Sequence, residues 1–338
     1  MRTSPVLSLL VALLVPQAPL AWTLQTSGVT ARLRGVSAAS ADVVWASGTE
    51  GTVIRTEDGG KTWRRLTVPG AEKLDLRDID AVDERTAYVL SIGNGDASRI
   101  YKSSDAGATW TLQFRNGDPK AFFDAMAFRD ARRGFAFSDS IDGTFVILRT
   151  DDGGSNWTRI APGSLPPALP GEGAYAASGS NVVVRGDRVW IATTASRVLR
   201  SLDGGRSWAV AQTPVVTGPS AGIFSVAFAG DSDGIVVGGD FKKETDATDN
   251  AAVTHDGGRT WAMVKGLSGY RSAVAYVPGQ SRTIVAVGPS GSDISTDGGR
   301  TWHAVPGPGF HAIGFAPSSR IGWAVGEKGS IGRIALPE

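Results

Sequence analysis

The chain of 338 residues contains no cysteine. That absence removes disulfides, thiolate metal sites, iron–sulfur clusters and covalent haem attachment, so stability has to come from burial and from closure of the chain on itself. Histidine is nearly absent too. His255, His303 and His311 stand at unrelated points of the sequence, which excludes a histidine zinc triad. Neither sign of charge is in excess: 34 basic and 33 acidic residues leave a formal net charge of +1, too weak a field to imply nucleic acid or an anionic membrane as partner. There is no glycine-rich phosphate cradle between a strand and a helix, hence no signal for a nucleotide or a nucleotide-derived cofactor. Long hydrophobic runs are missing with one exception. Val6 to Val15 follows the basic segment Met1-Arg2-Thr3-Ser4-Pro5 and precedes Pro16-Gln17-Ala18-Pro19-Leu20-Ala21. The run is too short to span a bilayer, and this order predicts a signal peptide over 1–21 and an exported, periplasmic or extracellular protein.

What the chain does have is glycine, 44 of them, and a short pattern repeated six times. Each copy reads Ser/Thr, any residue, Asp, a small residue, Gly, any residue, a polar residue, Trp. The copies run from Thr56 to Trp63, Ser103 to Trp110, Thr150 to Trp157, Ser201 to Trp208, Thr254 to Trp261 and Ser295 to Trp302. Successive tryptophans are 47, 47, 51, 53 and 41 residues apart, a period that fits one four-stranded blade per repeat. The aspartates, Asp58, Asp105, Asp152, Asp203, Asp256 and Asp297, are read as turn clamps. The small residue and Gly supply positive φ, and Trp63, Trp110, Trp157, Trp208, Trp261 and Trp302 open the next strand.

Three stretches of period-2 alternation precede each box, clearest at Phe123 to Phe128, Gly134 to Ser138 and Thr144 to Thr150. A seventh triplet, Phe310 to Ala316, Ile321 to Val325 and Ser330 to Ala335, has no box after it. Its missing outer strand is expected at the other end, because Ala21-Trp22-Thr23-Leu24-Gln25 nearly repeats Thr109-Trp110-Thr111-Leu112-Gln113. The expectation is an all-β fold in one domain over 22–338: a seven-bladed β-propeller with six box turns, its last blade closed by the N-terminal strand. A large apolar column at Trp45, Tyr88, Phe135, Trp190, Ile235, Ile284 and Trp323 is assigned to packing between blades. Closure in this way needs no second copy, so the chain is read as a monomer.

The boxes resemble the Asp-box, or BNR repeat, of sialidases, other glycoside hydrolases and several non-enzymatic propellers. The Asp-Gly-Gly-Lys/Arg-Thr-Trp form of most boxes and the seven-blade count are most similar to the photosystem II stability/assembly factor family and its relatives in non-photosynthetic bacteria. That resemblance implies an exported propeller that binds a protein partner and assists assembly of a membrane or envelope complex. The alternative is a glycoside hydrolase of the sialidase-like superfamily acting on a glycan. The first blade carries Leu33-Arg34-Gly35-Val36 where sialidases have an Arg-Ile-Pro type motif, which counts against the enzyme.

Propeller ligands meet the face where the inner strands begin. Alignment on Met126 and Phe128 puts Arg34, Arg77, Asp124, Ser180, Phe224, Ser272 and His311 at equivalent starting positions, with Arg271 one residue away. Arg34, Arg77 and Arg271 are therefore expected to converge at the channel mouth on a carboxylate or phosphate, unless each pairs with a local acid such as Asp75 beside Arg77. Phe123, Asp124, Tyr175 and His311 complete the expected ligand or partner site. Were the chain an enzyme, its acids would come from Asp124, Asp139, Glu172 and Asp240. The polar loop Asp240 to Asn250 lacks EF-hand spacing, and neither metal nor cofactor is assigned.

Overall fold

The computed structural model describes residues 20–337. The signal peptide expected over 1–21 falls outside them except for Leu20 and Ala21. Seven four-stranded antiparallel sheets make up the described residues. The first blade runs outward from Leu33–Ala38 through Val44–Gly48 and Thr52–Thr56 to Arg64–Leu66. Blades two to six repeat that order over 75–115, 123–159, 182–212, 221–264 and 273–305, and their first strands pack side by side around the centre. The seventh joins Ala312–Phe315, Ile321–Val325 and Ile331–Ala335 to Thr23–Gln25, with Thr23 opposite Arg333 and Gln25 opposite Ile331. The protein is a seven-bladed β-propeller closed by its N-terminal strand, as its sequence indicates.

All six boxes fold alike. In the first, Thr56 Oγ1 donates to Asp58 Oδ1 at 2.8 Å and accepts from Gly60 N–H at 2.9 Å. Asp58 then accepts from Thr62 twice, from N–H at 2.9 Å and from the hydroxyl at 2.7 Å. The same bonds recur around Asp105, Asp152, Asp203, Asp256 and Asp297, with Asn156 supplying the side-chain donor in the third box. These donors hold the carboxyls of Asp58, Asp105 and Asp203 down at about 2.

The boxes also join blades. The large residue in the second strand of one blade packs on the box glycine of the next: Trp45 on Gly107, Phe135 on Gly205, Ile235 on Gly299. Tyr88 donates its hydroxyl to Gly153 O at 2.9 Å and Trp190 its indole N–H to Gly257 O at 3.0 Å, so even the polar tips are engaged across the seam. The column from Trp45 to Trp323 is buried throughout because both faces of each second strand are covered.

Around the channel the inner strands are tied by side chains to neighbouring backbones. Ser37 Oγ accepts from Ala81 N–H, Asp78 Oδ2 from Met126 N–H at 2.7 Å, Asp80 Oδ2 from Phe128 N–H at 2.6 Å, and Ser225 Oγ from Val274 N–H. Burial pushes the carboxyl of Asp78 up to about 8 and that of Asp80 to about 6.

Candidate functional site

Four inner strands carry one extra residue near their start. The register slips between Leu33 and Gly35, Leu76 and Asp78, Phe123 and Ala125, and Ile223 and Ser225. The bulged residues are Arg34, Arg77, Asp124 and Phe224. A bulge leaves its residue out of the ladder and re-aims the side chain, and all four line one cavity of about 560 Å³ at the mouth of the channel, with His311 from the seventh blade. The remaining members of the expected ring, Ser180 and Ser272, bond to adjacent strands instead. Ser180 Oγ lies 2.8 Å from Ser225 Oγ, and Ser272 Oγ donates to His311 O at 2.8 Å.

A strap crosses this mouth. The segment from Glu172 to Ser178, part of the insertion between the third and fourth blades, touches six blades: Arg34 donates to Ala177 O, Arg77 to Ala176 O at 2.6 Å, Ala174 N–H to Asp139, Thr194 N–H to Gly173 O, Tyr175 hydroxyl to Ala221 O, and Ser178 hydroxyl to Ser272 O. Tyr175 stacks flat on Phe224, centroids 3.8 Å apart, with Phe241 and Tyr270 edge-on to Phe224. Tyr175, which the sequence places in the ligand or partner site, is carried by this strap.

Arg34 and Arg77 enter the cavity from adjacent blades. Arg77 pairs with Asp75 through Nε at 2.9 Å, the local pairing anticipated from sequence, while the rest of its guanidinium reaches the strap. Arg34 has no ion pair among the described residues, and its buried Nε has no hydrogen-bond partner. Burial, then Arg77 beside it, lowers its pKa to about 10, which leaves it protonated at neutral pH. His311 donates or accepts through Nε2 at 2.8 Å from Glu327, which also holds Arg32. Burial and Arg34 depress His311 to about 4, so it is neutral at pH 7.

Asp124 and Asp139 line the same cavity and lie side by side. Burial lifts both carboxyls, Asp124 strongly. Two carboxyls in contact cannot both ionise, so the pair holds a proton, and Asp124 is the member that keeps it.

Four expected site residues lie elsewhere. Arg271 is fully buried, its Nε and Nη2 on Asp293 at 2.7 and 2.6 Å and Nη1 on Tyr270 O and Ser290, so it is an internal ion pair and not the third arginine of the mouth. Phe123 points away into the core with Phe114, because it precedes the bulge; Phe122 lines the cavity in its place. Glu172, the first residue of the strap, is buried, ion-paired with Arg197 and accepting from Thr193 at 2.6 Å, which removes it as a free acid. Asp240 sits outside the cavity, on a separate depression with Ser220 and Lys243. Phe241, Arg32 and Glu327, which do line the cavity, carry no periodic signal; they reach it from loops and from the neighbouring blade.

The pattern described as BNR/Asp-box repeat matches residues 293–304, around the sixth box. No curated protein matches the sequence. Among solved structures, the chain resembles YCF48 bound to D1 peptide, at TM-score 0.68 and 17% identity over 96% of this chain and 99% of that one. YCF48 from Cyanidioschyzon merolae gives TM-score 0.66 and 18% identity, covering 93% and 99%. A GH74 xyloglucanase from Xanthomonas campestris gives 0.63 and 17%, covering 92% of this chain but 53% of the enzyme. At such identities the likeness is one of fold: this chain shares its propeller fold with YCF48 proteins and with part of a xyloglucanase.

Proposed function

We propose that the protein is an exported, non-catalytic propeller whose strapped mouth binds an acidic segment of a partner protein. The observation that carries this reading is the pair of bulged arginines turned into one cavity beside an aromatic platform, with donors of Arg34 left without a protein acceptor. Guanidinium groups in a partly dry recess favour carboxylates through charge-assisted hydrogen bonds. The solved YCF48 structure with a D1 peptide gives a precedent for a peptide on this fold, and a role in assembling a membrane or envelope complex is inferred from that likeness. Export is inferred from the N-terminal segment. Glycan hydrolysis is the weaker reading despite the GH74 likeness. Paired catalytic carboxyls stand roughly 5–9 Å apart, whereas Asp124 and Asp139 lie side by side and Glu172 is held by Arg197.

Affinity capture with the tagged protein, compared between wild type and the Arg34→Gln/Arg77→Gln double variant, tests the proposal. The expected result is a variant that stays folded, with a modestly lower melting temperature from the lost strap bonds, and partner affinity lower by about tenfold or more, the scale of one lost charged hydrogen bond. Added salt should narrow the gap. Turnover of xyloglucan or a sialoside that Asp124→Asn abolishes would overturn the non-catalytic reading.

A further inference from the structure

The acids of this molecule that lie near its mouth mostly have a cation against them: Asp75 has Arg77, Glu327 has Arg32, Glu172 has Arg197, and Asp293 has Arg271. Glu244, on the loop rim, is open to solvent. Asp124 and Asp139 differ. No basic side chain pairs with either among the described residues, although the two are in contact. Asp124 is 1% exposed and lines the cavity, yet its Oδ2 has no hydrogen-bond partner. Leaving a buried polar atom unpartnered is unfavourable, which makes a donor at this point favourable. Arg34, which lines the same cavity, has an unpartnered donor in its Nε. The recess therefore has an acceptor pole and a donor pole, both incomplete, and the Tyr175–Phe224 stack supplies apolar surface in the same cavity.

We propose that the cavity takes a bipolar ligand, its carboxylate on Arg34 and Arg77 and its protonated primary amine on the Asp124–Asp139 pair. The anionic half rests on the reading given under Proposed function; the cationic half stands on the acid pair alone. A primary ammonium brings three donors and no acceptor. It can satisfy Asp124 Oδ2 and an Asp139 oxygen together, and its charge lets the pair release the proton it holds. A hydroxyl or a water would fill Oδ2 but would leave the pair protonated. The other charged and titratable groups of the cavity are Arg32, Arg34, Arg77, Tyr175, Glu244, Tyr270, His311 and Glu327, and Glu172 is already paired with Arg197. A cavity of about 560 Å³ suits either a free aminocarboxylate or two to three residues of a peptide in which a lysine lies near an acidic residue.

Calorimetric titration of the full protein with 4-aminobutanoate and 6-aminohexanoate, each beside its counterpart lacking the amine, separates the two poles. At least one amino acid should bind about tenfold tighter than butanoate or hexanoate. Its heat should vary with the ionisation enthalpy of the buffer, because a proton leaves. Asp124→Asn and Asp139→Asn should each abolish the advantage and the proton release, while hexanoate affinity and the melting temperature stay as in wild type. Acetylated, amidated peptides carrying Glu and Lys form the second arm: binding of peptides alone assigns the ligand to a partner segment, and equal binding of the free compounds assigns it to a small aminocarboxylate. If neither the free amino acids nor the peptides outbind their counterparts without the amine (for the peptides, norleucine in place of Lys), the cationic half is overturned, whether or not the arginine-dependent capture of a partner persists. Partner capture that is indifferent to Arg34→Gln/Arg77→Gln would overturn the anionic half separately.

Discussion

Arg34 and Arg271 begin their blades one residue apart in the shared register, and their fates differ because of a single neighbour. The third strand of the sixth blade places Asp293 against Arg271, and a buried guanidinium with a carboxylate, two serine hydroxyls and a carbonyl has no donor left for a ligand. The first blade offers Arg34 no such acid, and the bulge turns it inward. The boxes give the converse lesson, of uniform residues with one exception. Five of them have Gly at the first positive-φ position, whereas the second has Ala106 at φ 63°. The left-handed region costs an L-residue about 1–2 kcal/mol, partly offset by the entropy glycine loses on folding. Ala106→Gly is therefore expected to stabilise the protein by roughly 0.5–1 kcal/mol, measured as a melting temperature a few degrees higher. No change, or a fall, would show that the second box has relaxed around its alanine.

At the scale of elements, closure depends on three residues of strand and the tryptophan before them. Trp22 packs on Phe310 with centroids 4.9 Å apart and donates to Ser292 at 3.2 Å, taking the place that a box tryptophan has in the other blades. Gln25 reaches the first box, donating to Gly59 O and accepting from Trp63. Deleting Trp22 to Ser27 exposes the edge of Ile331–Ala335 and opens the seam between the seventh and first blades. The melting temperature should fall markedly. Trp22→Ala alone should cost about 3 kcal/mol or more, the usual loss for a buried tryptophan. A deletion variant that melts with the wild type would refute the closure. The element order was readable beforehand because alternation, box and apolar column each mark the same blade boundaries. The bulges were not: one extra residue in a six-residue strand leaves the alternation on either side intact and changes only which side chain faces the channel.

For the whole ring, two sets of carboxyls oppose each other in pH. The box aspartates are all depressed by the hydrogen bonds they accept, Asp58, Asp105 and Asp203 to about 2, so their contribution is present above the unfolded value of about 3.9 and is lost as pH falls through the folded values. Asp78 and Asp80 are raised, to about 8 and about 6. Protonated when folded and ionised when unfolded, they favour the folded state below about 4, and that advantage declines as pH rises towards 8. Stability should peak in the mildly acidic range and fall between pH 5 and pH 9. Asp78→Asn can keep a carbonyl acceptor for Met126 N–H and removes the ionisation, so its melting temperature should exceed that of wild type at pH 8 by roughly 5 °C. The difference should shrink at pH 5. Parallel curves for the two proteins would show that Asp78 does not titrate in this window.

Sequence by itself determined the architecture, because each element of a propeller is specified locally. A turn clamp, a strand period and a large side chain at one depth recur at blade spacing, and each blade contacts chiefly its neighbours. It also placed Arg34, Arg77, Asp124 and His311 on one face, since they share a register. Only the tertiary structure decided which of those side chains are available. The contact between Asp124 and Asp139 and the ion pair of Arg271 with Asp293 join different strands of one blade, the pair of Glu172 with Arg197 joins the insertion to the fourth blade, and the strap reaches six blades. Their distances depend on how bulges and an insertion of no fixed period bring the inner strands together, which no local pattern encodes.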